Sequence, residues 1–149
     1  MSASTTQHLT NADIEKLSSF RSSLREYLTN SHLFCELFDL TDLQYLLLLN
    51  VKTLEADTQA SCSTLKEKLH LTNSALTMLI NRCLKADLLE ISSGSPTSAP
   101  RTFRLSTAGN QVIATLASIH KKEFDNFQML FKTDCSSRCT SPICWKGSD

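Results

Sequence analysis

The chain has 149 residues, 41% of them hydrophobic, with three glycines and three prolines. So few turn-forming residues exclude a sandwich or barrel of many short strands and favour one mainly α-helical domain. The 15 basic and 15 acidic residues cancel, which argues against a broad nonspecific polyanion binder. No apolar run approaches the roughly 18 residues of a membrane span, and the polar start lacks the order of a signal peptide, so we expect a cytoplasmic protein with no membrane partner.

The charges are distributed unevenly along the chain. Residues 1–57 carry four basic and eight acidic side chains, whereas residues 58–149 carry eleven basic and seven acidic ones. Residues 69–86 and 91–122 contain no carboxylate at all. Because a surface without acids does not repel phosphates, the second half is the better candidate for a nucleic-acid contact.

A long amphipathic helix is predicted after a flexible N-terminus of residues 1–9. Thr10 can cap it together with Asp13, and a second helical piece is predicted over His32–Phe38. The apolar stripe of the first helix is either packed within the chain or a dimer surface. It consists of Ile14, Leu17, Phe20, Leu24, Tyr27 and Leu28.

The next helix is predicted to lie at the centre of the fold. Thr41 and Gln44 form a capping box, and Asp42 suits the positive end of the helix. The run QYLLLLNVKTL that follows is apolar on nearly all sides, as in a buried helix. Residues 55–63 then form a loop with room for a very short strand.

Two shorter helices and a tight bend follow. Ser61 or Ser63 caps the helix STLKEKLHL, and His70 occupies a bend that requires a left-handed conformation. A second helix over 72–86 is capped by Thr72, Asn73 or Ser74. Its apolar face consists of Leu76, Leu79, Ile80, Cys83 and Leu84, and its polar face of Asn73, Ser74, Thr77, Asn81, Arg82 and Lys85.

A hairpin and a last helix complete the pattern. The strands LLEIS and RTFRL flank a Gly-, Ser- and Pro-rich tip, and Ser106 or Thr107 caps the final helix. Helix, bend, helix and two-stranded β wing, in that order, constitute a winged helix-turn-helix. In such a fold the second helix enters the DNA major groove, so its polar face is either a DNA-reading surface or an ordinary exposed surface. Arg101 and Arg104 either contact phosphates or belong to a solvated hairpin.

Three motifs are informative in their order and spacing: LTDLQ (Leu40 to Gln44), LKEKLHLTNSALTMLINRCLKADLLE, and LSTAG (Leu105 to Gly109). Through them the chain resembles, from about Asp13 to Phe131, the MarR family, the multiple antibiotic resistance regulators, in which the last motif is usually Leu-Thr-x-x-Gly. The resemblance implies a homodimer joined through helical regions 10–38 and 107–131, with residues 39–106 as the DNA-binding lobe. One recognition helix would read each half of a palindromic operator on double-stranded DNA.

By position, the resemblance also assigns the residues that face the groove, and among them Arg82 is expected to contribute most. They are Asn73, Ser74, Thr77, Met78, Asn81 and Arg82. The chain departs from the family at two places. Thr97, Ser98 and Ala99 stand where the wing tip usually reads Asp-Arg-Arg, and Asp87 replaces the usual glycine after the recognition helix.

The cysteines and histidines are the remaining candidates for chemical sites. Cys83 is expected in the core and Cys35 in the core or in the lining of a pocket, whereas Cys62 near a helix N-terminus is a redox candidate. Cys135, Cys139 and Cys144 in the tail, residues 132–149, are either inert or redox-sensing, and no complete metal site is expected. His32, His70 and His120 are expected to be structural or surface residues. With no nucleophile elbow, phosphate loop or paired catalytic carboxylates, the sequence predicts no enzyme and no cofactor.

Two hypotheses of function follow from these patterns. The first is a homodimeric transcription regulator, expected to be a repressor, that a small-molecule effector or thiol oxidation releases from DNA. The second is a winged-helix protein-interaction module with weak or no DNA binding, motivated by the zero net charge, the plain wing tip and the Cys-rich tail.

Overall fold

The computed structural model describes residues 9–57, 60–93 and 100–132. Its elements in chain order are α1 (Asn11–Glu36), α2 (Asp42–Asp57), β1 (Ala60–Ser61), α3 (Cys62–Leu69), α4 (Asn73–Lys85), β2 (Leu89–Ser93), β3 (Thr102–Leu105) and α5 (Thr107–Lys132). This is the mainly α-helical winged helix-turn-helix that the sequence predicts. Every helix in the described ranges lacks the stretch of apolar sequence that crossing a bilayer requires.

The chain divides into two compact units. One comprises residues 28–120 and contains the predicted lobe 39–106 with the adjoining ends of α1 and α5. The described part of the other comprises residues 9–27 and 121–132. Within this second unit the Tyr27 and Phe127 rings pack with their centroids 5.4 Å apart.

The first helix begins at the predicted cap and is longer than expected. Asp13 accepts hydrogen bonds from the Thr10 hydroxyl (2.6 Å) and backbone N–H (2.9 Å), which hold the pKa of its carboxyl below the usual 3.8. The separate helical piece predicted over His32–Phe38 is wrong, because α1 continues to Glu36 without a glycine or proline to interrupt it. The chain then turns at Asp39, which has a φ of 54°.

The second helix occupies the centre of the larger unit, as predicted. Its capping box is present: the Thr41 N–H donates to Gln44 Oε1 (3.0 Å), and the Gln44 N–H donates to Thr41 Oγ1 (3.2 Å). Leu47, Leu48 and Val51 have no exposed surface at all. The helix packs against α3, α4, β1 and β3, so it forms the floor on which the helix-turn-helix and the sheet rest.

The sheet contains one strand more than the two-stranded wing of the sequence prediction. Its antiparallel order is β1–β3–β2, with Ala60 opposite Phe103 and Leu89 opposite Leu105. β1 lies within residues 55–63, where the sequence predicted a loop with room for a very short strand. The wing tip, residues 94–99, lies outside the described residues.

The start of α5 is joined tightly to the segment that follows α4. Ser106 caps α5 by accepting the Gly109 N–H (2.9 Å), and its hydroxyl donates to the Asp87 carbonyl. The Ser106 N–H donates to the Leu88 carbonyl (3.1 Å). A Cβ on Gly109 would lie 2.1 Å from that same oxygen, so this position requires glycine for space.

Replacing Gly109 by Ala is therefore expected to destabilise the fold. In an ordinary helix the change would gain roughly 0.5–1 kcal/mol, but here the added methyl meets backbone and the cost of overpacking is about 1–3 kcal/mol. Urea denaturation of the two proteins measures the difference in the free energy of unfolding. Ala114→Gly, at an exposed position of α5, is the control and should lose only the helix-propensity term of about 1 kcal/mol. A Gly109→Ala protein as stable as the wild type would contradict the clash.

Candidate nucleic-acid interface

The helix-turn-helix is held by two caps and one left-handed residue. The Ser61 side chain caps α3, and Leu65 and Leu69 of that helix are buried. His70 adopts φ 53° and ψ 40°, which confirms the predicted left-handed bend. Thr72 then caps α4, so the first of the three predicted capping candidates is the one used. These local interactions fix where α4 begins and the direction in which it leaves α3.

The fourth helix buries one face and exposes the other. Its buried residues are Leu76, Leu79, Ile80 and Cys83. The predicted DNA-contacting residues of α4 are all exposed, and we call them the outer face of α4. They are Asn73, Ser74, Thr77, Met78, Asn81, Arg82 and Lys85. The structure thus brings these seven residues together on one helix, whereas their contact with DNA stays a prediction.

The surroundings of the outer face favour an anionic partner. No carboxylate occurs between Leu69 and Ala86, while Arg82 and Lys85 lie in the last turn of the helix. At the other end, the first turn of α4 contains no acidic residue to neutralise its positive dipole. Asp87, the first acid after the helix, has a φ of 55° and occupies the left-handed position where the resemblance places glycine.

The two wing arginines differ in their environment. Arg101 is exposed just before β3. Arg104 lies opposite Glu90 in the β2–β3 register, and its Nε and Nη2 atoms approach Glu90 Oε2 to 3.0 and 2.9 Å. Glu90 was not among the residues predicted to form the site; it lies one residue before the acid-free segment 91–122. The alternation of each strand indicates which face a residue occupies, but only the strand register pairs Glu90 with Arg104.

This ion pair matters because it places a carboxylate on the wing. Both side chains are substantially exposed, so the pair contributes at most about 1 kcal/mol and is easily exchanged. A phosphate could therefore attract Arg104 away from Glu90. The remaining carboxylate would still repel that phosphate, so the wing is less cationic than its two arginines suggest.

Two of the cysteines are core residues, as predicted. Cys35 and Cys83 have no exposed surface. Burial, with the nearby Asp42 carboxylate, raises the pKa of the Cys35 thiol to about 11, and burial raises that of Cys83 to about 11 despite a hydrogen bond with Gln44. Both thiols are thus protonated at neutral pH and are poor nucleophiles.

The remaining candidate chemical sites are few. Cys62 is exposed at the first residue of α3, whereas Cys135, Cys139 and Cys144 lie outside the described residues. No group of three or more potential metal ligands occurs in residues 9–57, 60–93 and 100–132. His32 approaches Asp42 (3.2 Å) and Glu36 (3.3 Å) and so joins the end of α1 to the start of α2.

Comparison with known proteins finds a shared fold but no family or curated sequence that matches. No profile of a known protein family and no curated protein sequence matches the chain. Among solved structures, AbsC, a MarR family transcriptional regulator from Streptomyces coelicolor, is 19% identical, with a TM-score of 0.66 over 87% of this chain and 91% of that one. The MarR repressor of Listeria monocytogenes is 15% identical, with a TM-score of 0.62 over 85% of each chain.

A third neighbour was solved with DNA. The MepR–DNA complex of Staphylococcus aureus is 16% identical, with a TM-score of 0.60 over 89% of this chain and 87% of that one. These three matches cover 85–89% of this chain and 85–91% of the other chains. The chain therefore has the fold of MarR family regulators, which confirms the architecture that the sequence motifs implied.

Proposed function

We propose that the chain is a DNA-binding transcription regulator that inserts α4 into the major groove. The observation that carries this proposal is the outer face of α4, which presents seven exposed side chains on a helix free of carboxylates. An α-helix fits the width of the major groove, and amides with cations are the groups that bind base edges and phosphates. The shared fold supports the assignment, since one neighbour was solved in complex with DNA.

The same proposal includes a homodimer. Residues 11–22, the first half of α1, are exposed without exception, although Ile14, Leu17 and Phe20 are among them. A helix with an apolar stripe is stable in water when that stripe is covered, and a second copy of this chain is the covering partner that a palindromic operator requires. Phe124 and Met129 on α5 add further exposed apolar surface.

Repression, and release by a small-molecule effector or by thiol oxidation, stay predictions from the sequence. The burial of two thiols limits which cysteines could react with an oxidant. Cys35 and Cys83 are buried, so an oxidant would have to act on Cys62 or on the tail cysteines.

The alternative function, a protein-interaction module with weak or no DNA binding, is favoured by one observation. Glu90 forms an ion pair with Arg104 and so reduces the positive charge of the wing. A chain that binds no duplex even at low salt would support this alternative over the regulator.

Arg82→Ala is expected to weaken DNA binding by about tenfold, because loss of one Arg contact to phosphate or base costs about 1–3 kcal/mol. Fluorescence anisotropy with duplexes from the promoter region of the chain's own gene, at two salt concentrations, measures the effect. Lys121→Ala on α5 removes the same charge from an exposed ion pair and serves as the control. The major-groove assignment would be refuted if both variants bound like the wild type.

Glu90→Gln is expected to strengthen DNA binding about threefold, since it releases Arg104 and removes a repelling carboxylate. The slope of log K against log salt concentration should become steeper by the amount that corresponds to about one added phosphate contact. Titrations at several salt concentrations test both effects. Glu15→Gln on α1 controls for the change in net charge, and Arg104→Ala in the Glu90→Gln background should abolish the gain. An unchanged salt slope would show that the wing makes no phosphate contact through Arg104.

Leu17→Glu is expected to shift the protein from dimer to monomer, because a carboxylate would be buried in the interface. Leu17 is 53% exposed in the single chain, so the variant should keep its helix content. Sedimentation velocity measures the change in mass, with Ser18→Glu, the adjacent exposed residue, as the control. A Leu17→Glu protein that sediments as the wild-type dimer would exclude this face of α1 from the interface.

A further inference from the structure

The side chains of the outer face of α4 do not project equally toward a partner. Successive residues of a helix are separated by about 100°, and the buried residues of α4 define the direction of the core. The opposite direction is occupied by a single stripe at spacings of four, three and four residues. It consists of Ser74, Met78, Asn81 and Lys85. These four side chains would enter a groove first, whereas Asn73 and Arg82 flank them.

The hydroxyl groups near the start of α4 are already engaged inside the helix. Thr77 Oγ1 donates its proton to the Asn73 carbonyl at 2.8 Å. Thr72 Oγ1 accepts the Ala75 N–H at 3.3 Å and pairs with Ser74 Oγ at 3.3 Å. A hydroxyl has one proton to donate, so Thr77 has none left for a base. The donor left for a base at the start of α4 is thus chiefly the Asn73 amide, which flanks the stripe and does not lie on it.

Met78 stands in the middle of the stripe and is the apolar exception on it. Its side chain is 59% exposed, and Ile91 is the other large hydrophobic residue that is exposed among the described residues 60–93 and 100–105. Exposed thioether surface is unfavourable in water and gains free energy when it contacts another apolar group. In the major groove the apolar group that a base pair presents is the 5-methyl of thymine.

From this placement we propose that Met78 is a specificity-determining residue that selects a thymine in each half-site by packing against its 5-methyl group. The inference rests on the proposed function, since it assigns a base preference to the same helix. It follows from the central position of Met78, from its exposure and from the commitment of neighbouring hydroxyls to the backbone. Met78 would thus contribute to the choice of sequence, whereas the cations of the helix would contribute affinity for any duplex.

The test uses deoxyuridine, which pairs as thymine does but lacks the methyl group. The full chain first selects duplexes from a random pool, and each thymine of a selected duplex is then replaced in turn. For the wild type, replacement at one position in each half-site should weaken binding about fourfold, which is the change in Kd expected when about one buried methyl group is lost. Met78→Ala should weaken binding to the thymine duplex by a similar factor and should bind the thymine and deoxyuridine duplexes equally.

Two controls make the result specific to Met78. Met78→Leu keeps an apolar side chain and should retain a preference for thymine. Leu46→Ala removes an exposed apolar side chain of α2, outside α4, the wing and the proposed dimer surface, and should change neither the affinity nor the ratio between the two duplexes. Thermal unfolding of Met78→Ala should match the wild type, because the side chain is on the surface.

The outcomes separate the inference from the proposed function. If the wild type selects a duplex but no thymine is sensitive to replacement, or if Met78→Ala keeps the wild-type ratio, the assignment of Met78 is wrong and the regulator stands. If the wild type selects no duplex at any salt concentration, the proposed function fails, and the inference fails with it.

Discussion

The close approach of Gly109 to the Leu88 carbonyl is the constraint on which the geometry of the predicted lobe, residues 39–106, depends. Leu88 lies between the end of α4 and the start of β2, and its carbonyl oxygen also accepts the Ser106 N–H. One short segment therefore joins the candidate recognition helix, the hairpin and the last helix. Because the contact is between backbone atoms, it is insensitive to side-chain rotamers. It fixes the outer face of α4 and the wing with respect to each other within the lobe.

Much of this arrangement could be predicted from the residues, because it depends on interactions between near neighbours in sequence. In the capping pairs Thr10–Asp13 and Thr41–Gln44 the partners are three residues apart in sequence. The bend at His70 depends on the left-handed conformation of that single residue. The polar and apolar faces of α4 follow from the helical period alone. Such features are determined locally, so a sequence pattern that shows them is informative.

The features that the sequence did not predict are tertiary. The β1–β3 pairing joins residues about 40 positions apart, and two strand residues give no periodicity by which to detect it. The LSTAG motif contains Gly109, but the reason that a side chain does not fit there is the carbonyl of Leu88, 21 positions earlier in the chain. The Glu90–Arg104 pair could have been derived only from an exact strand register. Likewise the engagement of the Thr77 hydroxyl depends on a rotamer, which no pattern of residue types specifies.

The distribution of charge and the exposed stripe of α1 together explain how a chain of zero net charge could bind DNA specifically. Arg82 and Lys85 provide few cations on α4, and Glu90 reduces those of the wing, so a single lobe should bind a half-site weakly. Linking two such lobes through α1 and α5 would make the second contact intramolecular, and avidity of this kind can strengthen binding by about 10²–10⁴. Weak electrostatic attraction per lobe then becomes an advantage, because nonspecific duplex offers no second half-site at the correct spacing. Under this proposal the apolar face of α1 is as much a determinant of DNA specificity as the outer face of α4.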